Sequence, residues 1–348
     1  MPSDLPEHAS TGIVAPTAVS VGILTYHRPE SLVETLESLA AGGLFQRLAD
    51  RGSDDRVEPS WTLCEVLVID NDRSPSAADA VAAFARGLAT PEVVHHLHEP
   101  EPGLAAARNR ALDEAAGDVL VFIDDDERAD AGWPDGLVTL LTTSDAAMVG
   151  APVRTEFSSP PPDWVVSGGY FDRAEPPHGA LLPWLRSGNL AIDLAAVREA
   201  GVRFDPAFGR SGGEDVAFSR LAVRHGLTLR WASAEAVTET VGPERTTARW
   251  VLNRWRKGSS AYARAHLAAD DSLRRRLSTA ARGVARLGQG AATVLLGGVS
   301  LHWGRVMKGV AEIHRGVGYL EGVVGRRSQA YGVKAGRKPY ATEPTDKP

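Results

Sequence analysis

The sequence of 348 residues has little sulfur and few aromatic side chains, with one cysteine, Cys64, and 6% Phe, Trp and Tyr. One thiol excludes an intrachain disulfide and a zinc site built on cysteines, and it fits a reducing compartment. Because Cys64 begins an apolar run over residues 64–69, we expect it to be a buried strand residue.

A secretory signal is also missing, because residues 1–17 are polar and contain proline without an apolar core. We therefore expect residues 1–17 to be a disordered tail and the protein to be cytoplasmic. An uncharged window over residues 287–304 approaches the length of a membrane span. Its five glycines weaken that interpretation and favour a helix on a membrane surface, with a plain packing helix as the alternative.

Charge is unevenly distributed along a chain whose net charge is −6. Residues 272–338 hold 13 lysines and arginines against two acids, Glu312 and Glu321. The residues between these charges are apolar and glycine-rich, which suits an anionic membrane surface better than nucleic acid. We predict a basic amphipathic helical segment over residues 269–338 that associates with the inner face of the cell membrane. Residues 339–348 are expected to be a tail, and no nucleic-acid partner is expected.

Residues 19–153 alternate between short β-branched runs and helical patterns. The predicted strands cover residues 19–24, 65–69, 93–97 and 119–123. This alternation predicts an α/β protein with a mainly parallel sheet covered by helices. The polar stretch 45–62 is predicted to be a long surface loop.

Three carboxylates, Asp124, Asp125 and Asp126, follow the apolar strand 119–123 directly. Ligands of parallel sheets bind at the carboxyl ends of the strands. Clustered carboxylates at that edge suit a hard divalent cation that also binds phosphate oxygens. The same residues in isolation would equally fit a solvated acidic turn.

Polar residues at the ends of the first two strands should lie on the same sheet edge. Thr25, Tyr26 and Arg28 follow the first strand, and Asp70 and Asn71 end the second. Such side chains can hydrogen-bond a base and a ribose, and Tyr26 can cover the base. Strand-end aspartates also commonly cap the following helix.

Two further motifs stand at the starts of helices. Arg108 and Asn109 lie about one and a half turns into a helix that begins at Gly103, where Arg108 could reach phosphate and Asn109 could order the metal loop. Glu214 and Asp215 follow two glycines at another helix start, where the helix dipole favours ionised carboxylates. Such a carboxylate can accept a proton from an attacking hydroxyl, or it can act only as a cap.

In this order the motifs resemble those of family 2 glycosyltransferases with the GT-A fold, over about residues 19–267. Residues 241–245 and the arginine-rich helix after them are similar to bacterial exopolysaccharide enzymes of the succinoglycan glucosyltransferase type. The resemblance implies a Rossmann-like, mainly parallel sheet in a domain over residues 18–268, with a helical C-terminal appendage. Its nucleotide-binding half would be 18–153 and its acceptor half 154–268.

The resemblance also implies site roles. Asp215 would be the catalytic base with Glu214 beside it, and Asp126, helped by Asp124, would bind Mg²⁺ or Mn²⁺. Arg245 would supply charge to phosphate. The nucleotide-sugar site would comprise Thr25, Tyr26, Arg28, Asp70, Asn71, Arg108, Asn109, Asp124, Asp125, Gly188, Asn189 and Arg245.

The function implied is inverting transfer of one sugar from a nucleotide sugar, such as a UDP-sugar, to a hydroxyl of a lipid-linked glycan in cell-surface polysaccharide synthesis. The sequence has no Gln-x-x-Arg-Trp motif of processive synthases. Three alternatives stay open at this point. They are transfer to a polyprenyl phosphate, a sugar-1-phosphate nucleotidyltransferase, and a sugar-binding protein without activity.

Overall fold

The computed structural model describes residues 16–48, 60–209, 212–233 and 236–325. The predicted tail at 339–348, most of the tail at 1–17 and the end of the basic segment lie outside these ranges. The strands within them are β1 Thr17–Thr25, β2 Trp61–Asp70, β3 Val94–His98, β4 Val119–Asp124, β5 Glu127–Ala129, β6 Ala146–Gly150, β7 Val153–Phe157, β8 Asn189–Asp193, β9 Thr228–Trp231 and β10 Val237–Val241. The helices are α1 Pro29–Ala41, α2 Ala78–Ala85, α3 Leu104–Glu114, α4 Asp135–Thr143, α5 Asp163–Gly168, α6 Leu194–Glu199, α7 Glu214–Arg224, α8 Ala248–Ala269, α9 Leu273–Val299 and α10 Trp303–Val323.

Seven strands form the main sheet in the order β3-β2-β1-β4-β8-β6-β9. All neighbours pair in parallel except β8, which is antiparallel to both β4 and β6. Alternate residues of β4 enter opposite cores, with Val121 packed on the side of α1, α2 and α4 and Phe122 on the side of α3, α6 and α7. The predicted fold class, a mainly parallel α/β sheet flanked by helices with a helical C-terminal part, is confirmed.

A second sheet of three strands, β5-β10-β7, lies beyond the end of β4. Its middle strand β10 pairs antiparallel with β5 and places Glu239 opposite Glu127. The chain that carries the acidic triplet therefore runs straight from the main sheet into the small one. This fixes the triplet at both ends.

Two sequence predictions near β2 are wrong. Cys64 is exposed, because the register shifts there: Val19 faces Leu63 and the next residue of β1, Ser20, faces Glu65. A bulge of this kind turns the skipped side chain away from the ladder. The predicted loop over 45–62 is shorter than expected at both ends, since Leu44–Arg47 forms a 3₁₀ helix and Trp61, which is 1% exposed, begins β2.

The C-terminal helices α9 and α10 pack as an antiparallel hairpin through glycines, and α10 also packs on α8. A Cβ added at Gly290 would lie 2.6 Å from the carbonyl oxygen of Gly309, and one at Gly309 would lie 2.6 Å from the amide nitrogen of Val294. The uncharged window 287–304 therefore forms the end of α9 and the turn to α10. Among the residues that the structure describes, no helix is both long enough and apolar enough to cross a membrane.

This packing predicts opposite effects of two glycine-to-alanine substitutions. Gly309→Ala should lower the free energy of unfolding by about 1–3 kcal/mol, because the added methyl group forces α9 and α10 apart. Gly288→Ala meets no atom within 4 Å on the exposed side of α9 and should raise that free energy by about 0.5–1 kcal/mol. Urea unfolding followed by circular dichroism measures both. Equal effects of the two variants would contradict the predicted helix contact.

Candidate functional site

The acidic triplet forms a tight turn between β4 and β5. The backbone N–H of Asp124 donates to Glu127 Oε2 at 3.0 Å, which brings two carboxylates together. Gly188 lies against both: an added Cβ would be 2.7 Å from Glu127 Oε1 and 3.2 Å from Asp124 Oδ2. A residue without a side chain is therefore needed where the chain before β8 passes the carboxylates.

The carboxylates of this turn carry more negative charge than their surroundings balance. Desolvation by the surrounding protein raises the pKa of Asp124 to about 7, with Asp126 and Asp125 adding to the effect and Arg108 opposing it. Burial raises the pKa of Asp125 to about 6, although Arg28 opposes this shift. Burial and the nearby Asp124 carboxylate also raise the pKa of Glu127 well above its usual value. A bound cation would relieve this excess.

Two arginines approach the triplet from opposite sides. Arg28 Nη1 lies 2.8 Å from Asp126 Oδ2 and 3.3 Å from Asp125 Oδ1. Arg245 Nη2 lies 3.3 Å from the same Asp126 oxygen, and its Nη1 lies 2.9 Å from Glu239 Oε1. Both arginine contacts fall on the same oxygen of Asp126, Oδ2.

The residues at this turn fit a hard divalent cation. Within the described ranges no group of three or more His, Cys, Asp and Glu side chains is placed to hold a metal ion by itself. Mg²⁺ characteristically takes one or two carboxylates and completes its shell with water and phosphate oxygens. Asp126 and Asp124 can supply such a partial, all-oxygen set, and the shortage of positive charge described above favours it.

A buried ion pair connects the triplet to the second acidic motif. Arg108 of α3 is 3% exposed; its Nη1 lies 2.6 Å from Glu214 Oε1, and its Nη2 lies 3.8 Å from Asp124 Oδ1. Its guanidinium stands 5.6 Å from the ring centroid of Phe204. Arg108 is enclosed and Glu214 is only 4% exposed, so in this structure the two side chains are directed at each other. The place of Arg108 in the nucleotide-sugar site and the place of Glu214 beside the base stay predictions.

Asp215 follows Glu214 in the first turn of α7 and remains half-buried at the surface. Its Oδ1 accepts a hydrogen bond from the backbone N–H of Val216 at 2.7 Å. The preceding Gly213 has φ of 91°, and an added Cβ would lie 3.0 Å from the Ala261 carbonyl oxygen. This left-handed, close-packed position requires glycine. It holds the start of α7 against α8 with Asp215 on the open side.

The residues at the ends of β1 and β2 divide into enclosed and exposed side chains. Asp70 is 0% exposed and accepts the backbone N–H of Ala77 at 2.8 Å. Asn71 donates to the carbonyl oxygens of Glu99 and Glu101 at 2.8 and 2.7 Å and is 6% exposed. These hydrogen bonds order neighbouring loops, and the contact of both side chains with a nucleoside stays a prediction.

Thr25 is also enclosed, at 3% exposure, whereas Tyr26 is half-buried and Arg28 is exposed. Of the strand-end residues predicted to hold the nucleoside, Tyr26 and Arg28 are thus the two that are accessible to solvent.

Asn109 and Asn189 have structural partners as well. Asn109 both donates to the Phe204 carbonyl oxygen and accepts the Phe204 N–H, at 2.8 and 3.0 Å. Asn189 accepts from Trp133 Nε1 at 2.9 Å and donates to the Pro152 carbonyl oxygen at 2.9 Å. The two bonds of Asn109 secure the segment before α7, and its ordering of the metal loop stays a prediction. Asn189 is 2% exposed, and its place in the nucleotide-sugar site stays a prediction as well.

Sequence reasoning missed three arginines that join Arg245 around Glu239. Arg173 forms an ion pair with Glu239, and Arg254 of α8 lies over the rings of Phe171 and Trp250. Burial lowers the pKa of Arg254 and of Arg186, and neighbouring arginines add to this effect. These side chains come from separate segments, so no sequence spacing signals the cluster. The arginine-rich pattern of α8 was the one available hint.

Sequence comparisons identify the family of this chain. Residues 20–192 match the sequence profile of "Glycosyl transferase family 2". The chain is 33% identical over 246 residues to the "Succinoglycan biosynthesis protein ExoM" of Rhizobium meliloti (strain 1021), covering 68% of this chain and 71% of that protein.

Among solved structures, one of "GalNAc-T7 with UDP, GalNAc and Mn2+" aligns with a TM-score of 0.49 and 17% identity. The alignment covers 72% of this chain and 47% of that one, so the chain spans about half the length of this neighbour.

The family profile falls on the part of the chain that builds the sheet and carries the acidic turn. The relative extends the match beyond it, at an identity and coverage that show common membership. The predicted family and its GT-A class are thereby confirmed: the chain belongs to glycosyltransferase family 2 and is a glycosyltransferase.

Proposed function

We propose that the enzyme transfers a single sugar, with inversion, from a UDP-sugar to a hydroxyl of a lipid-linked glycan in cell-surface polysaccharide synthesis. The observation that carries this proposal is the Arg108 bridge, which brings the motif of Asp215 to the acidic turn of Asp124 and Asp126. A donor site and a candidate base then share one cleft. The name of the succinoglycan relative supports the polysaccharide context.

The donor diphosphate would be held between a cation and arginines. Asp126, with help from Asp124, would bind Mg²⁺ or Mn²⁺, which supplies positive charge to the leaving diphosphate. Arg245 stands beside Asp126 and is surrounded by Arg173 and further arginines. Fixed guanidinium groups stabilise charge that develops on departing phosphate oxygens, because they need no reorganisation during the reaction.

Asp215 would take the proton of the attacking hydroxyl. It stands at the open side of an α-helix N-terminus, whose dipole favours the carboxylate form. A base on the acceptor side, with the diphosphate held at the opposite edge of the sugar, requires attack from the face away from the leaving group. That arrangement inverts the anomeric centre.

The alternatives differ in what the site must provide. A polyprenyl phosphate acceptor is already an anion at neutral pH, so a positioned base such as Asp215 would be superfluous. A nucleotidyltransferase would release pyrophosphate from a nucleoside triphosphate, and family membership gives that reaction no support. The hydroxyl acceptor is therefore the better match to the geometry.

Localisation follows from charge in this proposal. The described part of the basic segment, residues 272–325, carries eight lysines and arginines against Glu312 and Glu321. We place the enzyme in the cytoplasm, peripherally bound to the anionic inner face of the cell membrane, where a lipid-linked acceptor is accessible.

UDP binding should depend on a divalent cation through Asp126. Wild-type enzyme should bind UDP at least about tenfold more tightly with Mn²⁺ than without it, and Asp126→Asn should lose most of this gain. Because the substitution also frees Arg28 and Arg245, metal-free UDP affinity should not fall. Isothermal titration calorimetry measures all four affinities. Asp79→Asn, an exposed carboxylate on α2, is the matched control and should behave as wild type. A Mn²⁺ effect unchanged in Asp126→Asn would refute the assignment.

Turnover, and not donor binding, should depend on Asp215. Asp215→Asn should keep UDP affinity while the rate constant falls by about 10²–10⁴, because the base acts during attack and need not touch the nucleotide. The assay is UDP release from whichever UDP-sugar the enzyme hydrolyses in Mn²⁺. Glu214→Gln, the neighbouring change, should instead lower the melting temperature, since it weakens the buried pair with Arg108. Near-normal turnover of Asp215→Asn would exclude it as the base.

A further inference from the structure

The turn between α9 and α10 presents an unusually apolar tip to solvent. Val299 is 87% exposed, Leu301 92% and Trp303 65%, and Leu295 and Leu296 on the last turns of α9 are 70% and 67% exposed. Leu301 also has φ of 52°, a left-handed conformation that is uncommon for a bulky side chain. The turn therefore has a strained backbone at Leu301 and also leaves the large apolar side chain of this residue exposed to solvent.

A cavity opens directly beside this tip. It has a volume of about 480 Å³ and lies between the turn and α5. Its polar lining residues are Ser167, Ser300, His302, Arg305 and Lys308. Gly304 brings the two walls together, since an added Cβ there would lie 3.3 Å from Ser167 Oγ. The Ser300 hydroxyl donates to the Leu296 carbonyl oxygen, so Arg305, Lys308 and the Ser167 hydroxyl are the donors suited to a phosphate group.

The acidic residues of the α9–α10 hairpin do not neutralise the positive charge at its tip. Glu312 is paired with Arg286 and Arg315, and Glu321 is paired with Arg256. The next acids along the chain, Asp270 and Asp271, lie before the far end of α9, whose 27 residues span about 40 Å. Arg305 and Lys308 are both exposed, so the positive charge at the tip stays open to an external anion.

We propose that the α9–α10 tip inserts into the bilayer surface and that the adjoining cavity binds the phosphate headgroup of an anionic phospholipid. The apolar side chains Val299, Leu301 and Trp303 enter the interface between headgroups and acyl chains, with the Trp303 ring at the level where tryptophan is enriched. Arg305 and Lys308 then lie at headgroup depth. This inference sharpens the proposed peripheral membrane binding, on which it rests, by naming the contact residues and the lipid class.

The same contact sets how the enzyme stands on the membrane. α5 contributes Ser167 to the wall of the cavity, and the preceding residue of this helix, Val166, is 62% exposed. The chain continues from α5 through Phe171 to Arg173, which reaches the arginine cluster at Glu239. The membrane contact and the arginine side of the catalytic cleft are thus joined by one short segment, which favours an acceptor arriving from the bilayer.

The test compares two double variants of the full-length protein that remove the same charge. Arg305→Gln with Lys308→Gln empties the cavity of cations, whereas Arg274→Gln with Arg282→Gln changes exposed arginines on the body of α9. Binding is measured by co-sedimentation with vesicles of phosphatidylcholine alone or with 30% (about one lipid in three) phosphatidylglycerol. The cavity variant should bind the anionic vesicles about 10- to 30-fold more weakly, and the matched variant should lose less than about threefold.

Leu301→Asp tests insertion separately and should lower binding to the anionic vesicles by at least about tenfold. UDP affinity should be unchanged in every variant, which separates these results from a failure of the proposed catalytic function. Inorganic phosphate at about 10 mM should compete weakly, because it cannot contribute the acyl-chain contact. Equal losses in the two charge variants, equal binding to both vesicle types, full competition by inorganic phosphate, or normal binding by Leu301→Asp would each overturn the proposal.

Discussion

The buried ion pair between Arg108 and Glu214 holds the two halves of the cleft together. Arg108 comes from α3, on the strand–helix half of the chain, and Glu214 begins α7, more than one hundred residues later. Both are almost fully enclosed, so neither charge can return to water without opening the interface between the helices. A broken buried pair leaves an uncompensated charge, typically at a cost of about 3–5 kcal/mol. The position of Asp215 relative to the acidic turn depends on this contact.

Around that pair the site is built from charges that do not balance locally. The turn of Asp124 and Asp125 holds carboxylates whose pKa values are raised by desolvation and by the neighbouring Asp126. On the other side, the pKa of Arg254 is lowered by burial and by neighbouring arginines. Excess carboxylate beside excess guanidinium suits a ligand that carries both signs. A divalent cation together with a diphosphate is such a ligand, and it would satisfy both groups at once.

The C-terminal hairpin follows a different physical rule. Its helices approach through glycines, so little side-chain volume is available there for an apolar seam. Close backbone contact takes much of that role, with Leu287 and Val294 packed against glycines of α10. Other large apolar side chains of α9, among them Leu295 and Leu296, stay exposed. This exposure is the observation on which the proposed membrane contact rests.

The sequence alone was sufficient for the four parallel strands β1 to β4 and for the family, because both are encoded in short, local patterns. The buried run of β4 ending in Asp124 and the glycine pair before Glu214 could be identified residue by residue. Strand alternation was equally clear, although the bulge at Cys64 reversed the side on which that residue lies. A shift of one residue in strand register moves a side chain to the opposite face of the sheet, and the pattern of residue types along a strand does not reveal such a shift.

Only the tertiary structure shows which polar residues are enclosed and which stay exposed. Asp70, Asn71, Asn109 and Asn189 have the composition of a binding site, yet each forms hydrogen bonds with protein groups that its own sequence motif does not contain. The arginines around Glu239 likewise meet from separate parts of the chain. Burial and hydrogen-bond partners are properties of the assembled fold, because they depend on which segments of the chain pack against a given side chain. The sequence determines which functional groups are present, and the packing of helices and strands determines which other groups they contact.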